Sequence, residues 1–336
     1  MAVSMGDVAR HAGVSQRTVS NVVNNYVHVA PATRARVEAS LAELGYRPNA
    51  AARQLRSGRT GSITLAIPSL AERYFADFAD AVIRNAADAG IRVLIETTDG
   101  DHDAELALIR GGSGLLTDGL IMAAINVGAD DHRNSRADYP IVLVGDRETV
   151  GWVDHVGLPN RKAVRAAVEH LIQLGRRRIA LVGAGSSGAT PTTELRLRGY
   201  LDALEAAGIE VDPALIIPTD WTRDSGERVT LALLDSDIPL PDGIFAMNDS
   251  AALGVLRAFR RRGVDVPGQV AVIGFDNIAE SRYSTPTLSS VAPSLDQIAT
   301  NALEMIADQL ADVDGSRAPQ QRHTDFDIVV RESTAG

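Results

Sequence analysis

Apolar positions along the chain fall into two regimes. Over residues 7–24 the rhythm is short and helical, with Val19, Val22 and Val23 forming one apolar face after a break at Gly13. This spacing predicts two short helices joined by a sharp turn. Ala9 is small enough to let them approach, Gly13 takes a positive φ without a Cβ clash, and Ser15 is placed to cap the second helix. A third helix, Ala32 to Leu44, carries Val37, Leu41 and Leu44 and ends at Gly45. Pro48 stops that element, Asn49 can cap, and Ala50 to Ala52 favour a further helix through Arg53, Leu55 and Arg56. Residues 57–61 then read as a flexible link.

From Ser62 the rhythm changes to apolar runs alternating with amphipathic stretches. Ile63–Ile67, Val93–Ile95, Gly119–Met122 and Ile141–Val144 predict buried strands, with helices near 75–89 and 103–111 between them. A second set follows, with strands at Ile179–Val182, Leu215–Ile217, Ile244–Met247 and Val270–Gly274. Helices are predicted near 160–174, 194–206, 224–234 and 249–261. Alternation of this kind implies parallel sheets covered on both faces, and two sets imply two lobes. Ligands in such folds bind at the carboxyl ends of strands, so facing lobes would enclose one between them.

Charge separates the same two regions. Residues 1–60 hold eight arginines and three acids, net +5; residues 61–336 hold 25 basic and 40 acidic groups, net −15. A basic head on an acidic body points to a polyanion met by the head alone. On a helix entering a major groove, Gln16, Arg17 and Asn21 are base-reading chemistry. Leu55, with nothing in the head to pack on, is either a wedge for a minor groove, flanked by Arg53 and Arg56, or an accidental apolar residue in a linker. Cysteine is absent, which removes disulfides, thiol catalysis and Cys-ligated zinc. No apolar run approaches a membrane span or a signal peptide, so the expected location is the cytoplasm, at the nucleoid.

The residues from Asp7 to Asn24, from Val29 to Asn49, and Ala52-Arg53-Gln54-Leu55 closely resemble the lactose-repressor/galactose-repressor family over about sixty positions. The resemblance implies base reading by Gln16, Arg17 and Asn21, and backbone contacts by Ser15, Ser20, Asn24 and His28. It also implies a hinge-helix wedge at Leu55. It implies an all-α helix-turn-helix head plus an α/β two-lobed body of the periplasmic-binding-protein type. The expected boundaries are 1–48 for the head, 49–61 for the hinge helix and linker, and 62–336 for the body. Within the body, one lobe spans about 62–158 and 292–322, the other about 159–291 and 323–331.

Several polar residues follow strand ends: Asp146 and Arg147, Trp221, Asn248 and Asp276, with Arg196 opening a helix. Acceptors, donors and an aromatic plane together suit a sugar, whose hydroxyls meet the charged groups while its C–H face lies on the indole. By the resemblance, Arg196, Trp221, Asn248 and Asp276 align with effector-contacting positions, Asp146 and Arg147 fall where many members place a contact, and Phe75 matches an aromatic at the cleft mouth or a packing residue. The loop Glu72-Arg73-Tyr74-Phe75 departs from the Asn-Pro that members often carry there.

A competing enzyme reading starts from Gly183-Ala184-Gly185-Ser186-Ser187-Gly188, a dinucleotide-type glycine signature after a strand. Pro191 intervenes before the helix, however, and no acid ends a strand where a ribose needs one. Asp101-His102-Asp103 and Asp130-Asp131-His132 read as charged loops rather than metal ligands, and Lys162, the only lysine, as the start of a lobe-crossing helix. The expectation is therefore a regulator, not an enzyme, with no cofactor. It would act as a homodimer on a near-palindromic duplex, tuned allosterically by a small effector of the sugar class. The alternative is a nucleotide- or NAD-binding sensor or enzyme with a DNA-binding head. No heptad tail ends the chain, so no coiled-coil tetramer is expected.

Overall fold

The computed structural model describes residues 3–23, 26–46, 59–111, 117–128, 131, 139–146, 152–184, 190–312 and 314–335. The chain divides into two compact units, Met1–Thr60 and Gly61–Gly336.

The first unit contains α1 (Met5–Ala12), α2 (Gln16–Val23) and α3 (Pro31–Glu43). Ser4 and Asp7 open α1 with a reciprocal capping box, and Gly13, at φ 62°, closes it in the left-handed conformation. Val8, Ala9, Ala12, Val19, Val22 and Val37 form its small core. Because all three helices contribute, α1 and α2 are fixed at the angle the turn sets.

In the second unit two six-stranded sheets form the lobes. The first lobe orders its strands as β11 (Gln321–His323), β5 (Asp154–Gly157), β4 (Ile141–Gly145), β3 (Leu120–Ala123), β1 (Ser62–Ile67) and β2 (Arg92–Thr97), all parallel. Helices α4 (Arg73–Asp88) and α10 (Leu295–Ala311) pack Phe78, Val82, Ile298 and Met305 on one face, and α5 (His102–Ile109) packs Leu106 and Ile109 on the other. The second lobe orders β12 (Phe326–Val329), β10 (Ser289–Pro293), β9 (Ala271–Phe275), β8 (Gly243–Ala246), β6 (Ile179–Val182) and β7 (Ile216–Ile217), with only β12 antiparallel. One face carries α6 (Asn160–Gln173) and α7 (Pro191–Ala206), the other α8 (Arg223–Leu234) and α9 (Asp249–Arg262). The α8–α9 crossing needs glycine, since a Cβ at Gly254 would overlap the Arg223 carbonyl. The chain passes between lobes three times, near residues 158–159, 294 and 324–325.

Three expectations are corrected. Val93–Ile95 lies in β2, an edge strand rather than a buried one, with Leu94 41% and Ile95 37% exposed. The segment from Leu215 begins as a 3-10 turn, Pro213–Leu215, leaving only Ile216 and Ile217 in the strand. Pro191 does not intervene before a helix. It is the first residue of α7, where its missing N–H costs nothing and its φ is already helical; Thr190 caps that end.

Candidate functional site

In the head, α2 turns Val19 and Val22 inward and leaves Gln16 and Arg17 exposed, with Ser20 and Asn21 half-buried. Ser15 spends its hydroxyl on capping, accepting from the Thr18 N–H at 3.1 Å. His28 is exposed and meets Tyr26 edge-on at 5.4 Å. Among the described residues of this unit no charged side chain is buried, so the outer face of α2 can carry recognition chemistry without straining the core. Asn24, Arg53, Leu55, Arg56 and Arg147 lie outside the described residues.

In the body, a cavity of about 350 Å³ opens at the carboxyl ends of the strands of both lobes. Phe75, Asp146, Arg196, Trp221, Asn248 and Asp276 all line it. Phe75 also packs on the first lobe's core, so both of its expected roles coexist.

Arg196, on α7, is the organising cation of the cavity. It is buried, donates from Nε to Asn160 Oδ1 at 2.7 Å and from Nη1 to the Met247 carbonyl, and lies 3.6 Å from the Phe275 ring centroid. Trp221 stands on its other side at 5.2 Å. Such stacking and hydrogen bonding let a buried guanidinium keep its charge. Its Nη2 reaches toward Asp276 at 3.9 Å. Asp276 is the complementary group: its carboxylate accepts no hydrogen bond among the described residues. Burial pushes its pKa well above the ordinary range, against the pull of Arg196. It is an acceptor held without a donor.

From the other lobe, Asp146 accepts from Thr192 Oγ1 at 2.5 Å and from the Asn160 amide. Burial raises this carboxyl too, opposed by Thr192, Arg196 and Asn160. Asn160, at the first turn of the lobe-crossing helix, thus links a carboxylate of one lobe to the arginine of the other. Burial also pushes up the Tyr74 hydroxyl, with the Asp276 and Asp146 carboxylates adding to it.

Trp221 sits at φ 66°, its indole N–H donates to the Gly183 carbonyl at 2.9 Å, and its side chain lines the cavity. Gly183 itself has φ 126°, and a Cβ there would press on Met247 at 2.7 Å. This glycine therefore makes room for Met247 and holds the Trp221 indole, while residues 185–189 of the dinucleotide-type signature lie outside the described residues. Asn248 caps α9 through Oδ1, accepting from the Ala251 N–H at 2.9 Å, and donates to the Trp221 carbonyl at 3.0 Å. His102, in a segment read from the sequence as a charged loop, pairs with Asp131 at 2.9 Å.

The sequence reading missed Tyr74, Asn160 and Thr192. Asn160 and Thr192 have a role only because the lobe crossing and α7 meet Asp146, which no local pattern announces. The Tyr74–Phe75 pair was visible as adjacent aromatics, but not the carboxylates it faces.

Residues 4–49 match the model of bacterial regulatory proteins of the lacI family, and residues 168–334 match a periplasmic binding protein-like domain. Catabolite control protein A of Priestia megaterium is 33% identical over 91% of this chain and 92% of its own. The chain belongs to the lacI family. It is a DNA-binding transcriptional regulator with a helix-turn-helix head and a two-lobed body. Among solved structures, the Lac repressor dimer bound to operator and the anti-inducer ONPF aligns over 100% of both chains, with TM-score 0.84 and 27% identity. A complex of the transcriptional regulator CelR with cellobiose aligns over 98% of this chain and 99% of its own, with TM-score 0.71 and 29% identity. These relatives are named as transcriptional regulators and repressors, not as enzymes.

Proposed function

We propose that this regulator binds a sugar in the interlobe cavity and that this occupancy tunes its grip on a near-palindromic operator. The observation that carries the reading is the meeting in one cavity of the Trp221 indole, the Asp276 carboxyl, which accepts no hydrogen bond among the described residues, and the Arg196 guanidinium beside them. A pyranose presents both partners at once: a C–H face for the indole and vicinal hydroxyls for the charged pair. The cellobiose complex of the CelR relative supports the same class.

At the other end, Gln16, Arg17 and Asn21 read base edges. Ser15, Ser20, Asn24 and His28 hold the backbone, and Arg53, Leu55 and Arg56 form the hinge contact. In this reading the head spans 1–48, the hinge helix and linker 49–61, and the body 62–336. The regulator works as a homodimer in the cytoplasm, without catalytic turnover. Leu94 and Ile95 on the exposed edge strand, with Ile83 42% exposed on α4, supply apolar surface for a second copy to cover.

The test is a titration of the full chain with glucose, galactose, ribose, cellobiose and adenosine, read by melting temperature and by anisotropy of a labelled operator duplex. A sugar should raise the melting point and change operator affinity together. Binding of adenosine alone, or sugar binding with operator affinity untouched, would overturn the reading.

A further inference from the structure

Asp249, next in sequence to Asn248, does not line the cavity, yet it is fully buried at the first turn of α9. Its Oδ2 accepts from the Ile278 N–H at 3.0 Å and from Ser281 Oγ at 2.6 Å, and its Oδ1 accepts from Ser290 Oγ at 2.7 Å. Ser290 Oγ in turn accepts from the Asn277 N–H at 3.0 Å. All these groups surround one corner of the chain, Asp276–Asn277, where two successive non-glycine residues have positive φ, 106° and 52°. Each such residue costs on the order of 1–3 kcal/mol and persists only where its surroundings over-determine it. Arg331 adds the last restraint, donating to Asn277 Oδ1 at 2.5 Å and to the Leu288 carbonyl at 2.5 Å.

The strand before the corner is cut to fit this carboxylate. A Cβ at Gly274 would overlap Asp249 Oδ1, although Gly274 itself has no positive φ that would call for glycine. The glycine is there for space, and the occupant of that space is Asp249. Because the Asp276 carboxylate accepts no hydrogen bond among the described residues and meets Arg196 only at 3.9 Å, its place in the cavity depends on its backbone, and Asp249 holds that corner through the Ile278 N–H and, by way of Ser290, the Asn277 N–H.

We infer that Asp249 is a positioning residue for effector binding, holding the left-handed Asp276–Asn277 corner so that the Asp276 carboxylate stands in the cleft. Its neighbour Asn248 grips the opposite wall in the same way, through the carbonyl of the left-handed Trp221. One dipeptide at the start of α9 therefore fixes both ligand-facing walls of the second lobe. The inference rests on the cavity being the effector site, so its test has one arm that needs no ligand.

In that arm, hydrogen exchange of residues 275–284 is followed in the ligand-free full chain and its Asp249→Asn variant. The Ile278 and Asn277 amides should exchange at least 10-fold faster in the variant, and Gly274→Ala should do the same by crowding the carboxylate. Unchanged exchange in both variants would overturn the inference whatever the ligand. Ser290→Ala, a milder change, serves the same purpose should the others fail to fold.

In the second arm, each variant is titrated with the sugars that bind the wild-type chain. Asp249→Asn should weaken binding roughly 10-fold or more, as expected for disrupting a buried hydrogen-bond network, with ligand-free operator affinity unchanged. In an Asp276→Asn background the same change should have almost no further effect, because Asp249 acts through Asp276. Additive losses would mean a general loosening of the lobe and overturn the positioning role. If no sugar binds the wild type, the sugar reading falls while the exchange arm still decides the clamp.

Discussion

The head and the body solve opposite problems with charge. Among its described residues the head buries no charged group and builds a core from valines and alanines, so its recognition chemistry is separable from its folding. The body buries Arg196, Asp249 and Asp276 beside its cavity, so recognition and folding share residues. A substitution in the head can abolish function in a stable protein; one in the cleft threatens both.

The contrast is sharpest at Arg196. Arg196→Ala leaves Asp276 and Asp146 buried without a cation, and removal of one partner from a buried pair costs about 3–5 kcal/mol. Urea denaturation should show the body destabilised by that amount, with effector binding lost and the head's transition unmoved. A fully stable variant would show that the two roles are separable after all.

Next comes pH. Asp249 is pushed up to about 7 by burial, opposed by its serine and backbone donors, from an ordinary 3.8. Between these values the folded state holds a proton that the unfolded chain has released. The stabilisation is complete below about pH 4 and is lost as pH rises through 7, an effect on the order of a few kcal/mol. Melting of the body should therefore be higher at pH 6 than at pH 8, and Asp249→Asn should flatten that slope.

Arg17→Ala tests the other half of the comparison. It should cost about 1–3 kcal/mol of preference for operator over random duplex, with no change in melting temperature. Equal weakening on both duplexes would assign Arg17 to phosphate contact instead.

The smallest effect is expected at the cap of α1. Ser4→Ala should cost about 1 kcal/mol of head stability by calorimetry. Here the pH response reverses. Hydrogen bonds from the Ser4 side chain and backbone, helped by Arg10, hold Asp7 near 2, so its contribution is present above pH 3.8 and lost as pH falls through 2. Acid weakens the head where it favours Asp249 in the body.

The head was legible in the sequence because its determinants are local: a cap, a glycine turn and valines at helical spacing. Central strands of the body were legible for a related reason, since strands covered on both faces read as unbroken apolar runs. The edges were not. Asp154–Gly157 and Gln321–His323 carry polar residues that lie in the sheet because neighbours pair with them, and β2 keeps an apolar run despite its exposure. Ligand-facing positions could be placed from strand ends alone. The residues that hold them, Asn160, Thr192 and Asp249, could not, because their partners lie 14 to 46 positions away along the chain.

The lone antiparallel strand, β12, has a consequence for handling the gene. It covers the backbone of β10. A polypeptide released before Phe326, by a premature stop codon or by trimming to a minimal fragment, would leave β10 as a naked template for other chains. Such a product is expected in inclusion bodies.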